Sequence, residues 1–242
     1  MSGHSKWKNI LHKKERTDAQ RAKVFTKLSR EIIVAVKEGG PDPDANARLK
    51  DCIAKARAGN VPNDNIKRVI ERASGSGGAE NYESARYEGY GPGGTAVIVG
   101  AMTDNRNRTA GEIRHYFDKF GGNLGTTGCV SWFFERKGIL AVDAEGRDED
   151  TLMALALDAG ASDFSASDGF FEIEAEPDDF PGVRDALEAA GISFLSAQVE
   201  MVPQNWVSLG DGEDAKKMRR LLDALEDNDD VQDVWHNWED EE

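Results

Sequence analysis

The chain has 242 residues, of which 39% are hydrophobic and 31% charged, and its formal net charge is −15. This composition is ordinary for a soluble globular protein of about one or two domains. No apolar run approaches the roughly 18 residues of a membrane span, and no apolar segment follows the basic N-terminus, which argues against a secretory signal.

The two cysteines lie far apart at Cys52 and Cys129 and form no CxxC motif. Thiols in this arrangement are typical of a reducing compartment, because they offer neither a disulfide framework nor a zinc-ligand pair. We therefore expect a cytoplasmic protein.

The charge is divided unevenly along the chain. Residues 1–72 contain 17 Lys and Arg against 9 Asp and Glu, a net of +8, whereas residues 73–242 contain 13 against 36, a net of −23. Because the acidic part already favours solubility, the basic block predicts a local site for polyanions, with nucleic acid as the first candidate.

Residues 1–17 lack helical periodicity and are interpreted as an extended basic arm. Lysine and histidine can donate to phosphates, and Trp7 offers a face on which a base can stack. The alternative is a terminus whose Trp7 packs on the protein's own surface. The candidate nucleic-acid contacts of the arm are His4, Lys6, Trp7, Lys8, His12, Lys13, Lys14 and Arg16.

Residues 18–75 predict a three-helix basic domain, followed by a Gly/Ser linker at 74–78. On the first helix, Phe25, Leu28, Ile32 and Val36 form an apolar stripe, and a basic face lies opposite. The predicted helices are Asp18–Lys37, Ala45–Ala58 and Asn63–Ala73. The candidate contacts on the first helix are Arg21, Lys23, Lys27 and Arg30.

The second and third helices, with Gly59 between them, also resemble a helix-turn-helix pair, a weak signal because many helical hairpins have a glycine turn. In that arrangement the third helix would face a groove of DNA. Its candidate contacts are Lys67 and Arg68, together with Asn63, Asn65 and Arg72.

Beyond the linker the hydrophobic period changes to two, with helices between the strands. Residues 80–135 and 204–242 are expected to form one discontinuous α/β domain, since the last helix and strand are too few to stand alone. The predicted elements are strands Ser84–Tyr90 and Thr95–Met102, helix Arg108–Phe120, strand Thr127–Glu135, helix Glu213–Glu226 and strand Val231–Trp238.

Residues 136–203 predict a ferredoxin-like βαββαβ domain inserted into the discontinuous one, so the fold class is α+β. This segment has 4 Lys and Arg against 16 Asp and Glu. Its acidity serves solubility, docks a protein partner or keeps this part of the chain away from nucleic acid. The predicted elements are Ile139–Asp143, Asp148–Ala159, Asp163–Ser167, Phe170–Ala175, Asp178–Ala190 and Phe194–Met201.

Two short motifs lie in the middle of the chain. The glycines of 89–94 match GxGxxG, but a strand follows them instead of a helix, so a hairpin turn is preferred to a dinucleotide site. Arg106 and Arg108 lie near the start of the next helix, where the helix dipole favours an anion, and Asp104 or Asn107 is expected to cap that helix.

No motif for catalysis, cofactor or metal binding occurs in the sequence. The chain lacks GxxxxGK[ST], HExxH, GxSxG and CxxC, and its four histidines form no ligand-spaced pair. We therefore expect neither an enzyme nor a bound cofactor or metal ion. An enzyme acting on a small anion near Arg106 and Arg108 is the remaining alternative of that class.

Several stretches are highly specific and together cover nearly the whole chain. They are GHSKWKNI (3–10), RAKVFTKLSREI (21–32), AVKEGGPDPDANARL (35–49), NVPNDNIKR (60–68), YEGYGPGG (87–94), TDNRNRT (103–109) and GGNLGTTGCVSWFFERKG (121–138). On these motifs the sequence resembles the YebC/PmpR family, which includes mitochondrial translational activators of cytochrome oxidase. Cys129 stands where that family usually has serine.

The resemblance implies a helical domain followed by two α/β domains, and a non-enzymatic cytoplasmic regulator of gene expression. Some members of the family are described as DNA-binding transcriptional regulators, and others act at the ribosome, where they relieve stalling. The sequence leaves open whether the partner is DNA or ribosomal or transfer RNA. A protein partner on the acidic domain is also possible, and no membrane partner is expected.

Overall fold

The computed structural model describes residues 18–75, 81–167 and 169–239. Within these residues, no helix is long and apolar enough to cross a membrane. The α-helices are α1 (Asp18–Gly39), α2 (Ala47–Ala58), α3 (Asn63–Ser74), α4 (Arg106–Lys119), α5 (Glu149–Asp158), α6 (Phe180–Ala189) and α7 (Glu213–Asp227). The strands are β1 (Glu83–Tyr90), β2 (Ala96–Thr103), β3 (Asn123–Leu124), β4 (Phe134–Asp143), β5 (Asp163–Ser167), β6 (Phe170–Ala175), β7 (Ser196–Pro203), β8 (Val207–Ser208), β9 (Val231–His236) and β10 (Trp238–Glu239).

Helices α1, α2 and α3 share one hydrophobic core. The predicted stripe of α1 is confirmed, since Leu28, Ile32 and Val36 are buried in that core and Phe25 packs against it. Asn46 fastens the turn between α1 and α2: its amide donates to two carbonyls of the preceding chain at 2.8 Å, and its Oδ1 accepts from the first turn of α2 at 3.1 Å. The buried amide thus caps α2 and sets where α1 ends.

The middle of the chain forms a sheet with the strand order β3-β1-β2-β9. The predicted hairpin is confirmed, because β1 and β2 pair antiparallel and Tyr90 lies opposite Ala96. The late strand β9 also pairs antiparallel with β2, so the C-terminal residues return to this sheet. Helices α4 and α7 contribute the core residues Phe117 and Met218, which are fully buried together with Val97.

The predicted strand Thr127–Glu135 is wrong. Residues Ser131–Phe133 form one 3₁₀ turn, and the strand that follows begins at Phe134. The reason is a tertiary contact: the buried carboxylate of Glu88 accepts the backbone N–H groups of Val130 and Ser131 at 3.1 and 3.0 Å. These N–H groups are therefore satisfied by a side chain instead of a neighbouring strand.

The unit at 136–202 has its own core and the strand order β5-β6-β4-β7. With α5 after β4 and α6 after β6, this is the ferredoxin-like order expected for a split βαβ unit. The α+β fold class is therefore confirmed.

Gly138 on β4 tests how tightly this unit is packed. A Cβ at this position would lie 2.4–2.6 Å from the side chain of Phe180, which is buried at the start of α6. We expect Gly138→Ala to lower the free energy of unfolding by about 1–3 kcal/mol, because the buried Phe180 side chain must shift to admit the methyl group. Urea denaturation measures the change.

The matched control is Gly182→Ala in α6, where an added Cβ meets no atom within 4 Å. Alanine is the better helix former by about 1 kcal/mol, so this variant should be as stable as the wild type or more stable. Equal stability of the two variants would contradict the close packing at Gly138.

Candidate nucleic-acid interface

The basic face of α1 contacts the acidic end of α7 and the residues after it. Lys23 Nζ lies 2.7 Å from Asp227 Oδ1, and Lys27 Nζ donates to the backbone carbonyl of Glu226 at 2.8 Å. The hydrogen bond to Asp227 raises the pKa of Lys23, whereas burial lowers the pKa of Lys27. Two lysines predicted to bind nucleic acid thus contact anionic or carbonyl groups of their own chain.

Arg30, one helical turn further along α1, makes the most buried of these contacts. Its Nη1 lies 2.9 Å from Asp230 Oδ1, and the side chains are 14% and 6% exposed. The same nitrogen donates to the carbonyl of Asp229, and the guanidinium lies over the ring of Tyr82 with 5.0 Å to the centroid. Arg30 therefore joins the helical unit to the β-sheet domain in this structure.

The Asp230 carboxylate is a hydrogen-bond centre for three further groups. Its Oδ2 accepts from Thr109 Oγ1 at 2.6 Å, from Arg108 Nη2 at 2.7 Å and from Thr103 Oγ1 at 3.2 Å. Burial alone would raise the pKa of Asp230, but the hydrogen bonds from Thr109 and Arg108 and the charges of Arg108 and Arg30 outweigh it. The pKa of Asp230 therefore lies below its ordinary value.

Arg108, near the start of α4, is predicted to bind an anion or RNA, and in this structure it contacts carboxylates of its own chain. Arg108 pairs with Asp104 at 2.8 Å as well as with Asp230. The capping prediction is wrong in its residue, since Asn105 caps the helix by accepting from the Arg108 N–H at 3.1 Å. Arg106 lies 3.6 Å from Glu83, an exposed pair of small energetic value.

Helix α3 presents a different basic surface. Ile66 and Val69 are buried, while Lys67, Arg68 and Arg72 are exposed. Within the described residues these three cations form no ion pair and no hydrogen bond, unlike Lys23, Arg30 and Arg108. We call Lys67, Arg68 and Arg72 the α3 cationic face.

The remaining predicted contacts lie outside what the structure describes. Arg21 belongs to α1, but its side chain is not among the described ones. The arm residues lie in the segment 1–17, outside the described ranges, and so does most of the predicted linker. The arm residues are His4, Lys6, Trp7, Lys8, His12, Lys13, Lys14 and Arg16.

The sequence reasoning missed the acidic partners of α1. The sequence shows the basic stripe of α1 and, far away in the chain, an acidic segment at 223–230 that carries five Asp and Glu. That complementarity was a usable signal, because a cationic helix face in an acidic chain can be neutralised internally. Among the described residues, no group of three or more His, Cys, Asp or Glu is placed to hold a metal ion.

The fold and this interface define a class: an α+β protein whose basic helical unit is joined to an acidic sheet domain by ion pairs. The family model for the TACO1/YebC N-terminal domain matches residues 5–76, and that for the TACO1/YebC second and third domain matches residues 82–238. The chain belongs to the TACO1/YebC family.

Similar proteins span the full length of the chain. A relative from Acetivibrio thermocellus, named a probable transcriptional regulatory protein, is 59% identical over 239 residues, covering 98% of this chain and 99% of its own. A relative of the same name from Caldicellulosiruptor bescii is also 59% identical and covers both chains completely. A crystal structure of a conserved hypothetical protein from Aquifex aeolicus has a TM-score of 0.88 at 46% identity, with 97% of each chain covered.

The lowered pKa of Asp230 predicts an acid-sensitive contribution to stability. Its stabilisation is complete above the ordinary aspartate pKa of about 3.9 and is lost as the pH falls through the lower pKa of the folded protein. Asp230→Asn should lower the free energy of unfolding by about 3 kcal/mol at pH 7, because Arg30 loses its buried carboxylate partner. Thermal melting between pH 7 and 2 measures both effects.

Asp227→Asn is the matched control, since this carboxylate is 76% exposed. Its loss should change stability by less than about 1 kcal/mol. The stability gap between the two variants should narrow as the pH falls below about 3.9 and through the lower pKa of Asp230, because protonation then removes the Asp230 carboxylate of the Asp227→Asn variant. A gap that stays constant over the whole range from pH 7 to 2 would contradict the role given to the Asp230 carboxylate.

Proposed function

We propose that this protein is a non-enzymatic regulator of gene expression that binds nucleic acid through its basic N-terminal part. Its proposed target is DNA in the control of transcription. The observation that carries the proposal is the α3 cationic face, which stays exposed in a chain of net charge −15. Exposed cations on one helix face of an acidic protein can contact phosphates at short range.

Two further observations support this proposal. The arm at 1–17 carries five Lys and Arg against one acidic residue, Glu15, and it adjoins α1 in the chain. The relatives from Acetivibrio thermocellus and Caldicellulosiruptor bescii are named probable transcriptional regulatory proteins. We propose that the arm and the α3 cationic face together form the interface.

One observation favours a second candidate, a cytoplasmic translation factor that binds ribosomal or transfer RNA. Lys23, Lys27 and Arg30 contact groups of their own chain, so the ordered cationic surface left at 67–72 is short, about 8 Å along the helix. A short patch suits a folded RNA, which is recognised by shape, better than it suits a long track on duplex DNA.

Sedimentation of cell extract through a density gradient separates the two candidates. Migration with ribosomes that survives DNase treatment but is lost with RNase would favour the translation factor. Migration with nucleic acid that is lost with DNase would favour the transcriptional regulator.

The α3 cationic face can be tested by its salt dependence. Removing two phosphate-contacting cations with Arg68→Ala and Arg72→Ala should flatten the log–log salt slope of binding to duplex DNA by about two units. Deleting residues 1–17 should flatten it separately. Fluorescence anisotropy between 50 and 200 mM salt measures the slopes.

Arg48→Ala is the control for total charge, because Arg48 lies on α2 and is already paired with Glu38. Its slope should match the wild type. If the Arg68→Ala/Arg72→Ala protein, the 1–17 deletion and Arg48→Ala all flatten the log–log salt slope by the same amount, the interface is not localised on α3.

The pairing of Lys23 with Asp227 makes a prediction of opposite sign. Asp227→Asn leaves Lys23 without its carboxylate, so a phosphate can take that place. We expect tighter binding to duplex DNA at low salt and a salt slope steeper by about one unit. The same anisotropy titration measures both.

The control for this variant is Asp223→Asn, an exposed-charge change of equal size on α7, where Asp223 forms no ion pair or hydrogen bond with α1 among the described residues. If both substitutions raise the affinity for duplex DNA equally, the effect is one of net charge, and Lys23 is not part of the interface.

A further inference from the structure

Helices α2 and α3 border a groove of about 350 Å³ on the surface of the helical unit. This volume is near the lower end of the range for small-ligand sites, roughly 300–1,000 Å³. The floor is apolar and formed by Ile53, Ile66 and Ile70, and Pro43 adds to the wall. The rim carries the polar side chains Arg57, Asn63 and Lys67.

The two cations lie on opposite helices of this groove, Arg57 on α2 and Lys67 on α3. Arg57 Nε donates to Asn63 Oδ1 at 3.1 Å, which orients the guanidinium at the rim. That bond uses one of its five N–H donors. Lys67 makes no hydrogen bond to another described residue and is exposed.

This combination selects an occupant with both an anionic group and a flat apolar one. The basic arm at 1–17 is a poor occupant, because the rim would repel its lysines. The acidic C-terminus at 239–242 reads Glu-Asp-Glu-Glu and offers no apolar side chain for the floor. A nucleotide offers a phosphate for the rim and a base for the isoleucine floor.

We propose that this groove holds one unstacked nucleotide of single-stranded nucleic acid, with the base on the isoleucine floor and the phosphate between Arg57 and Lys67. The proposal rests on the proposed function and deepens it by naming the form of the nucleic acid. Bases in a duplex are stacked inside it and reach a protein groove only by flipping, at a cost, whereas single strands present them freely.

Isoleucine methyl resonances of the full-length protein test the proposal directly. On titration with a 12-nucleotide oligouridylate, the δ1-methyl signals of Ile53, Ile66 and Ile70 should shift. Those of Ile98 and Ile173, buried in other cores, should not. A 12-base-pair DNA duplex should leave the three groove signals in place even where it binds.

Arg57→Gln provides the matching binding measurement. It should weaken binding of the oligouridylate about tenfold, since a charge-assisted contact to phosphate is lost, and should change duplex binding less. Arg48→Gln removes the same charge from the same helix outside the groove, and it should leave oligouridylate binding within about twofold of the wild type.

Each outcome bears on one of the two proposals. If the oligouridylate binds without shifting the signals of Ile53, Ile66 and Ile70, the proposal for the groove is wrong and the proposed function is unaffected. Absence of binding to both the oligouridylate and the duplex overturns the proposed function and the groove with it. If polyglutamate shifts the three signals as much as the oligouridylate does, the groove accepts acidic protein segments, and the proposal that it holds a nucleotide is wrong.

Discussion

The buried carboxylate of Asp230 is the contact on which the arrangement of the helical unit and the sheet domain depends. It accepts from Arg30 of α1 and from Arg108 and Thr109 of α4. A buried carboxylate without such donors would be costly, so α1 and α4 must both meet the segment before β9 for Asp230 to be stable in this position. The contact also explains why the C-terminal strand β9, just after Asp230, returns to the sheet started by β1 and β2.

This constraint divides the basic residues of the N-terminal part into two groups. Arg30 is nearly buried and acts as a structural cation, while Lys23 is half exposed and its pair with Asp227 lies at the surface. Pairs of the second kind contribute little to stability and exchange easily with other anions. Basic side chains on one helix therefore differ in what they can offer to an external phosphate.

The regular elements could be predicted from the spacing of apolar residues. Residues at helical spacing, such as Leu28 and Ile32, lie on one face of a helix, and burying that face against the core stabilises the helix. The segment before β4 was not predictable in the same way. Its aromatic residues Trp132 and Phe133 are typical of a strand, yet they stack on each other in a turn held by Glu88, 43 residues before Ser131. Similarly, the pairing of Arg108 with Asp230 depends on long-range packing that no local pattern contains.

Net charge and local charge then act at different ranges. The total of −15 repels a polyanion at long distance, but screening reduces this repulsion beyond about 8–10 Å at physiological salt. Within that distance the exposed cations Lys67, Arg68 and Arg72 attract a phosphate, and the exposed Asp64 and Glu71 of the same helix reduce that attraction. A chain that neutralises its inner basic residues with its own carboxylates limits attraction to this outer face. The proposed recognition of nucleic acid therefore depends on the geometry of α3 more than on total charge.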